Sequence, residues 1–307
     1  MGASVSTPPA IHCSGLTKDY GRSHGVFDLD LTVQRGEVFG FIGPNGAGKT
    51  TTIRLLMDLI RPDRGAASVF GLDCQVDGLA VKRLVGYLPG ELPRFPRVTA
   101  GYVTGLLAGL RGSVDVGRVS ALAEILDLDL RLRYEDLSHG SKQKVGLIQA
   151  FMHQPELLIL DEPTLGLDPL MQRRFRLLIE ESVATGATVF LSSHVLSEVE
   201  QICDRIALIR DGRLVRVGTL DELREMRVHR VSAIFEGSLR AVEVETLPGI
   251  SDVRIENHLL TCSVRGRVSP LLQVLVGAQV VEVDSRELSL EEIFISEYEK
   301  AATNADR

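Results

Sequence analysis

The chain of 307 residues contains no tryptophan, and only 5% of it is aromatic. Without large rings, a core has to be filled by valine, leucine and isoleucine, which suits an α/β protein. Cysteine is scarce too: Cys13, Cys74, Cys203 and Cys262 stand far apart and form no C-x-x-C pair. That spacing argues against a zinc site and a disulfide framework, and it fits a reduced, cytosolic setting. No run approaches the roughly 18 uninterrupted apolar residues of a membrane span. The least polar stretch, Ser269 to Val281, is too short and is broken by Pro270, Gln273 and Gly277. The first residues lack the charged start and apolar run of a signal peptide. The chain is therefore expected to have no direct membrane span. Positive charge is also in short supply, with 34 Lys and Arg against 41 Asp and Glu and a formal net charge of -7. A nucleic-acid binder usually shows a basic face that follows the phosphates. Here the clustering of Arg173, Arg174 and Arg176 reads as a solvated helix face, so no nucleic-acid partner is expected.

What is present is organised in two parts. Hydrophobic residues make up 44% of the chain, enough to bury a real core. Residues 1–9 are small and polar and read as a loose tail. Residues 10–222 read as one domain, in which, from Ile11 to Val217, short β-rich runs alternate with helical patterns and predict a largely parallel α/β sheet. Glu37 to Ile42, Leu157 to Leu160 and Thr188 to Leu191 read as buried strands. Between about 99 and 152 no strong strand signal occurs and apolar residues recur at helical spacing, which predicts a helical insert. The composition changes after Leu223. Val228 to Phe235 and Val253 to Val264 read as strands, the latter a pair turning at Glu256-Asn257-His258. Leu271 to Val276 reads as helix and Val280 to Val283 as strand. Ser289 and Glu292 have the spacing of a capping box, and Leu290, Ile293, Phe294 and Tyr298 would share one face of the helix that follows. Residues 223–307 thus read as a small accessory α+β domain.

Gly43-Pro44-Asn45-Gly46-Ala47-Gly48-Lys49-Thr50 matches the phosphate-binding loop pattern in full. Its context matters more than the string. An apolar strand ends at Ile42, and a helix follows with Ile53, Leu56, Met57 and Ile60 on one face. Glycines let the backbone approach phosphates, and the new helix points its free N–H groups at their negative charge. Lys49 is expected to reach the β- and γ-phosphates, and the Thr50 hydroxyl to coordinate Mg²⁺, with Thr51 beside them in the same site. ATP and Mg²⁺ are the cofactors this implies.

Leu157 to Leu160 runs straight into Asp161-Glu162. A buried strand delivers the two carboxylates to its C-terminal edge, where open α/β sheets place ligands. Asp161 fits the acid that holds Mg²⁺, and Glu162 fits the group that polarises the attacking water. An acidic loop start is common after strands, so this pair is weak alone and becomes strong beside the phosphate loop. The next strand delivers His194 to the same edge.

At this point the chain, from about Ile11 to Thr219, resembles the ATP-binding-cassette (ABC) ATPases. Leu137-Ser138-His139-Gly140-Ser141-Lys142-Gln143 looks like the family signature motif, and Leu165-Gly166-Leu167-Asp168 looks like its D-loop. His194 takes the position of the switch histidine, and Tyr20 that of the aromatic ring that stacks on adenine. The resemblance implies a P-loop cassette with a mostly parallel core sheet and a helical insert. It implies two copies meeting head to tail, most simply as a homodimer, with Ser138, His139, Gly140 and Asp168 completing the partner copy's ATP site. It also implies a transmembrane ABC subunit as partner, and a place on the cytoplasmic face of the membrane. The C-terminal pattern is similar to the drug- and antibiotic-exporter branch of the daunorubicin-resistance type, so an exporter of drug-, antibiotic- or lipid-like cargo is expected.

Three departures from the family pattern stand out. His139-Gly140 replaces the usual Gly-Gly of the signature. Gly90 stands where the Q-loop glutamine is expected after Tyr87-Leu88-Pro89; Glu91, next to it, is the candidate for the group that joins this site to the transmembrane partner and a possible metal ligand, with an ordinary solvated acid as the alternative. Leu165 opens the D-loop where serine is common. A non-transport ABC ATPase of translation or DNA repair is the alternative function, and a regulatory ATP-binding module is a third. Translation members normally carry two cassettes and repair members a coiled coil or zinc-binding cysteines, none of which is seen here. A silent module has no need of both Glu162 and His194.

Overall fold

The computed structural model describes residues 7–22, 24–112, 114–220, 222 and 228–287. The chain divides into two compact units, Met1–Gly218 and Thr219–Arg307.

In the first unit, β1 (Ile11–Asp19) turns back into β2 (Gly25–Val33). The connection, residues 20–24, is too short for the crossover that parallel pairing requires, so the two strands are antiparallel. β3 (Val38–Ile42) leaves for another sheet, while β4 (Arg64–Val69) and the short β5 (Leu72–Asp73) complete an antiparallel sheet of order β2-β1-β4-β5. The pattern from Ile11 to Val217 predicts one largely parallel sheet and does not show this second, antiparallel one. The remaining strands are β6 (Val85–Leu88), β7 (Leu157–Asp161), β8 (Thr188–Ser193), β9 (Arg205–Arg210) and β10 (Arg213–Thr219). They join β3 in a six-stranded sheet of order β10-β9-β3-β8-β7-β6, in which β9, β3, β8, β7 and β6 run parallel.

Every residue of β3, β7 and β8 is buried, which explains why these strands are apolar nearly throughout rather than alternating. Phe39 of β3 and Phe190 of β8 are register partners, and their rings stack with centroids 6.0 Å apart. On the other side of β8, Asp161 pairs with Ser192. The chain therefore places β8 between the strand that feeds the phosphate loop and the strand that carries the acids.

The helices of this unit are α1 (Lys49–Leu56), α2 (Gly78–Leu84), α3 (Ala100–Arg111), α4 (Val116–Ile125), α5 (His139–Phe151), α6 (Pro169–Ala184) and α7 (Leu196–Val199). Ile53, Leu56 and Met57 are buried and Ile60 packs against them, as the helical spacing predicts. α3, α4 and α5 form the predicted helical insert, capped at their starts by Thr99, Asp115 and Ser138. Arg111, in the last turn of α3, ties the insert to α2 and to β6 by donating to the carbonyls of Lys82 and Val85 at 3.2 and 3.0 Å.

The second unit runs β11 (Val228–Phe235), α8 (Ala241–Glu245), β12 (Ile250–Glu256), β13 (Leu259–Arg265), α9 (Ser269–Gly277) and β14 (Val280–Glu287). The sheet order is β12-β13-β11-β14 with every pair antiparallel, a split β-α-β pattern. Alternate residues Val231, Ala233 and Phe235 of β11 and Leu260, Cys262 and Val264 of β13 are buried with Leu271 and Leu275 of α9. Asn257 and His258 take up the turn with φ of 47° and 61°. The expected last helix, from Ser289 through Tyr298, lies outside the described residues.

Candidate functional site

The phosphate loop leaves β3 at Ile42 and enters α1 at Lys49. Gly48 has φ of 108°, and a Cβ there would stand 2.8 Å from the Gly25 carbonyl oxygen, so only glycine lets the loop close into the helix. The first N–H groups of a helix such as α1 have no carbonyl partner within it and are the donors that a helix start offers to an anion. Lys49 is 6% exposed, and its Nζ donates to the carbonyl of Gly43 at 2.6 Å and to that of Pro44 at 3.3 Å. The same ammonium lies 3.2 Å from Glu162 Oε1.

Two hydroxyls meet on Asp161, which is fully buried. Thr50 Oγ1 donates to Oδ2 at 2.8 Å, and Ser192 Oγ donates to Oδ1 at 2.5 Å. The sequence reading gave Ser192 no role. The pair of serines closing an otherwise apolar strand is the signal that could have found it. Ser192 also accepts the Glu162 N–H at 3.1 Å, so one hydroxyl orders both acids.

Glu162 has φ of 50°, a left-handed conformation that an L-residue holds only when its surroundings enforce it. Here they do. Its N–H goes to Ser192, and its carbonyl accepts from Gln143 Nε2 at 3.1 Å and from the Leu165 N–H at 3.2 Å. Gln143 also reaches the Pro163 carbonyl at 3.2 Å and is buried, a supporting part the sequence reading quoted only as part of a motif. The result is a side chain directed between two bases: Oε1 faces Lys49, and Oε2 lies 2.8 Å from His194 Nδ1. Tyr87 is close enough to Asp161 to feel its charge, and burial together with that carboxylate pushes its phenol up to about 12. It therefore stays neutral beside the site.

The other expected residues sit around this centre. Tyr20 is 54% exposed, with its N–H donating to the His24 carbonyl. Ser138 caps α5 by accepting the Ser141 N–H at 3.1 Å. Asp168 caps α6 by accepting the Met171 N–H at 2.9 Å. The signature turn and the D-loop pack on one another: a Cβ on Gly140 would stand 2.4 Å from the Gly166 carbonyl oxygen, and one on Gly166 would stand 2.8 Å from His139 Nδ1. Glu91 is turned to solvent with its side chain 91% exposed, 3.9 Å from Arg54. Gly90 is the residue brought against Asp161, where a Cβ would lie 2.9 Å from Oδ2. The four cysteines are free and buried, and burial raises each thiol, to about 12 for Cys74 and about 11 for Cys262. They take no part in the site.

A phosphate cradle, two acids, a hydroxyl and a histidine at the C-terminal ends of parallel strands define a P-loop nucleoside triphosphatase. Residues 26–165 match the family described as ABC transporter. The bacitracin transport ATP-binding protein BcrA of Bacillus licheniformis is 34% identical over 302 residues, covering 93% of this chain and 96% of that protein. The daunorubicin resistance ATP-binding protein DrrA3 of Streptomyces coeruleorubidus is 34% identical over 301 residues, covering 93% and 95%. A solved structure of the ATP binding subunit of an ABC transporter is 32% identical, with a TM-score of 0.65 over 70% of this chain and 92% of that one. The chain belongs to the ABC transporter ATP-binding proteins: it binds and hydrolyses ATP to power a transporter with a separate membrane component. None of these similarities points to translation, to DNA repair or to a silent module. Among the described residues, no helix is long and apolar enough to cross a membrane.

Proposed function

We propose that the chain is the motor subunit of an exporter of antibiotic-like, drug-like or lipid-like cargo, held on the cytoplasmic face of the membrane by its transmembrane partner. Supporting this, the similarity to the bacitracin and daunorubicin proteins covers 93% of the chain and so runs through most of the small second unit as well as the cassette.

The observation that carries the chemical reading is the placement of Glu162 between Lys49 and His194. In this reading the loop from Gly43 to Thr50, with Asn45, Gly46, Ala47 and Thr51, cradles the phosphates. Lys49 moves from the carbonyls and from Glu162 onto the β- and γ-phosphate oxygens. Glu162, released from the ammonium, draws on the proton of the attacking water, and His194 holds the γ-phosphate. Tyr20 stacks on the adenine. Ser138, His139, Gly140 and Asp168 complete the site of a second copy, so that two sites form in a head-to-tail homodimer.

Mg²⁺ fits the residues present, because Thr50 and Asp161 offer a hydroxyl and a carboxylate. Magnesium prefers such hard oxygen donors, and it commonly takes one or two carboxylates and leaves its other positions to phosphates and water. Bound there, it would neutralise charge building on the phosphates. Glu91 joins these groups only if the loop from Gly90 to Pro96 rearranges.

Glu162→Gln tests the reading. The amide keeps the shape but loses the charge that attracts the water's proton. The variant is expected to bind MgATP, to lose about 10²- to 10⁴-fold in hydrolysis, and to double in mass on size-exclusion chromatography when ATP is present. Hydrolysis at the parent rate would refute it.

A further inference from the structure

Glu198 lies on α7, four residues after His194, and the reading above gives it no part. Each of its carboxylate oxygens accepts from a different element. Oε2 takes the hydroxyl of Thr164, and Oε1 takes Gln172 Nε2 at 3.2 Å. Thr164 stands directly before Leu165-Gly166-Leu167-Asp168, and its carbonyl accepts the Leu167 N–H at 3.0 Å. Gln172 stands on α6 directly after it, where its own N–H reaches the Asp168 carbonyl at 2.9 Å and its side chain the Leu167 carbonyl at 3.5 Å. One carboxylate thus grips the segment 165–168 from both ends. The same segment is closed on its other side by the packing of Gly166 against His139 and Gly140.

We infer that Glu198 is a positioning residue that fixes the D-loop relative to the Glu162–His194 pair. The chain of contacts is short. His194 touches Glu162, Glu162 O holds the Leu165 N–H, and Glu198 returns from the segment after His194 to Thr164 and Gln172. A carboxylate suits the task because it has no donor of its own and can accept from a hydroxyl and an amide at once. The inference rests on the proposed reading of residues 165–168 as the loop that completes a second copy's site. Glu198 touches no reacting atom in that reading and acts through the loop.

The test uses the full chain in steady-state ATP hydrolysis, with Glu198→Ala, Glu198→Gln, Thr164→Val and the Glu198→Ala/Thr164→Val pair. A displaced catalytic geometry costs rate far more than ground-state binding, so Glu198→Ala is expected to lower kcat about tenfold to a hundredfold with KM for ATP within about twofold. Glu198→Gln keeps one acceptor and is expected to recover part of the loss. The double variant is expected to be no slower than Glu198→Ala alone, because the contact that Thr164→Val removes is already lost with the Glu198 carboxylate. Parent-like turnover in folded Glu198→Ala, or losses that multiply in the double variant, would overturn the inference. If Glu198→Ala does not fold, Thr164→Val decides: a kcat loss at unchanged KM supports the inference, and parent-like turnover overturns it. Glu162→Gln separates the two levels. If it is inactive while Glu198→Ala turns over normally, only the positioning role fails. If it turns over at the parent rate, the catalytic reading itself fails.

Discussion

Lys49 Nζ lies 3.2 Å from Glu162 Oε1, with the two side chains only 6% and 16% exposed. The loop cation and the acid therefore form an ion pair largely shielded from water. In the proposed reading, a triphosphate takes the ammonium away and in doing so frees the carboxylate. Binding and activation are, in that reading, the same exchange of partners.

Lys49→Ala removes that exchange. It leaves Glu162 without its cation and takes away the charge that opposes the phosphates. ATP hydrolysis is expected to fall by about 10²- to 10³-fold, and ATP binding to weaken in a titration with a fluorescent nucleotide. Unchanged hydrolysis would remove the phosphate loop from the mechanism.

His153 gives a prediction about acid stability. Arg111 Nη1 and the Val85 carbonyl stand 2.7 and 3.3 Å from His153 Nε2, so a positive charge on the ring would face the Arg111 guanidinium. Burial, reinforced by the Arg111 charge, lowers the histidine from 6.5 to about 4. The folded protein then binds fewer protons than the unfolded chain between those values. The stabilisation is complete above pH 6.5 and is lost as pH falls towards about 4. The melting temperature is expected to drop across this window, by about 2–4 °C for each kcal/mol lost. His153→Gln should flatten that part of the curve, measured by thermal denaturation from neutral pH downwards. Parallel curves for parent and variant would rule the group out.

The division into two units gives another. All the proposed nucleotide contacts precede Gly218, and the second unit has its own sheet and its own buried core. A chain ending near Leu223 is therefore expected to stay folded by circular dichroism and to bind nucleotide within about threefold of the parent, a difference under 1 kcal/mol. It is expected to lose dimer stability or the cargo resistance the transporter confers in cells. Loss of nucleotide binding in a folded truncated chain would show that the second unit contributes to the site.

Much of this could be read in the sequence, and the reason differs from residue to residue. The phosphate loop was legible because its chemistry is local: eight successive residues carry it. β3, β7 and β8 were legible because burial on both faces leaves nearly continuous apolar runs, and β11 coincides with the strand read at Val228–Phe235, whose alternate residues Val231, Ala233 and Phe235 are buried. Ser192 was not legible, because its role depends on β8 lying beside β7, a pairing between residues 31 apart. Gln143 was missed for the same reason, since its partner carbonyl is 19 residues away. The antiparallel sheet was missed because its strands alternate with other elements along the chain, and only the short connection at 20–24 betrays the first hairpin. At the Q-loop, the sequence left Glu91 open as a possible metal ligand or an ordinary solvated acid, while the backbone brings Gly90 to Asp161.

β8 acts as a spacer bar. Ile42 pairs with Ser193 on one of its sides, and Asp161 with Ser192 on the other. Two strand spacings, about 9.5 Å, thus separate the roots of the phosphate loop and of the acids, a distance set by backbone hydrogen bonds and not by any side chain. A slip of one residue in β8 would turn Ser192 to the opposite face of the sheet. Asp161 and the Glu162 N–H would then lose their shared hydroxyl together, and His194 would start from the wrong rung. The tolerance of the site is therefore that of a ladder, in which the rungs are right or wrong and nothing lies between.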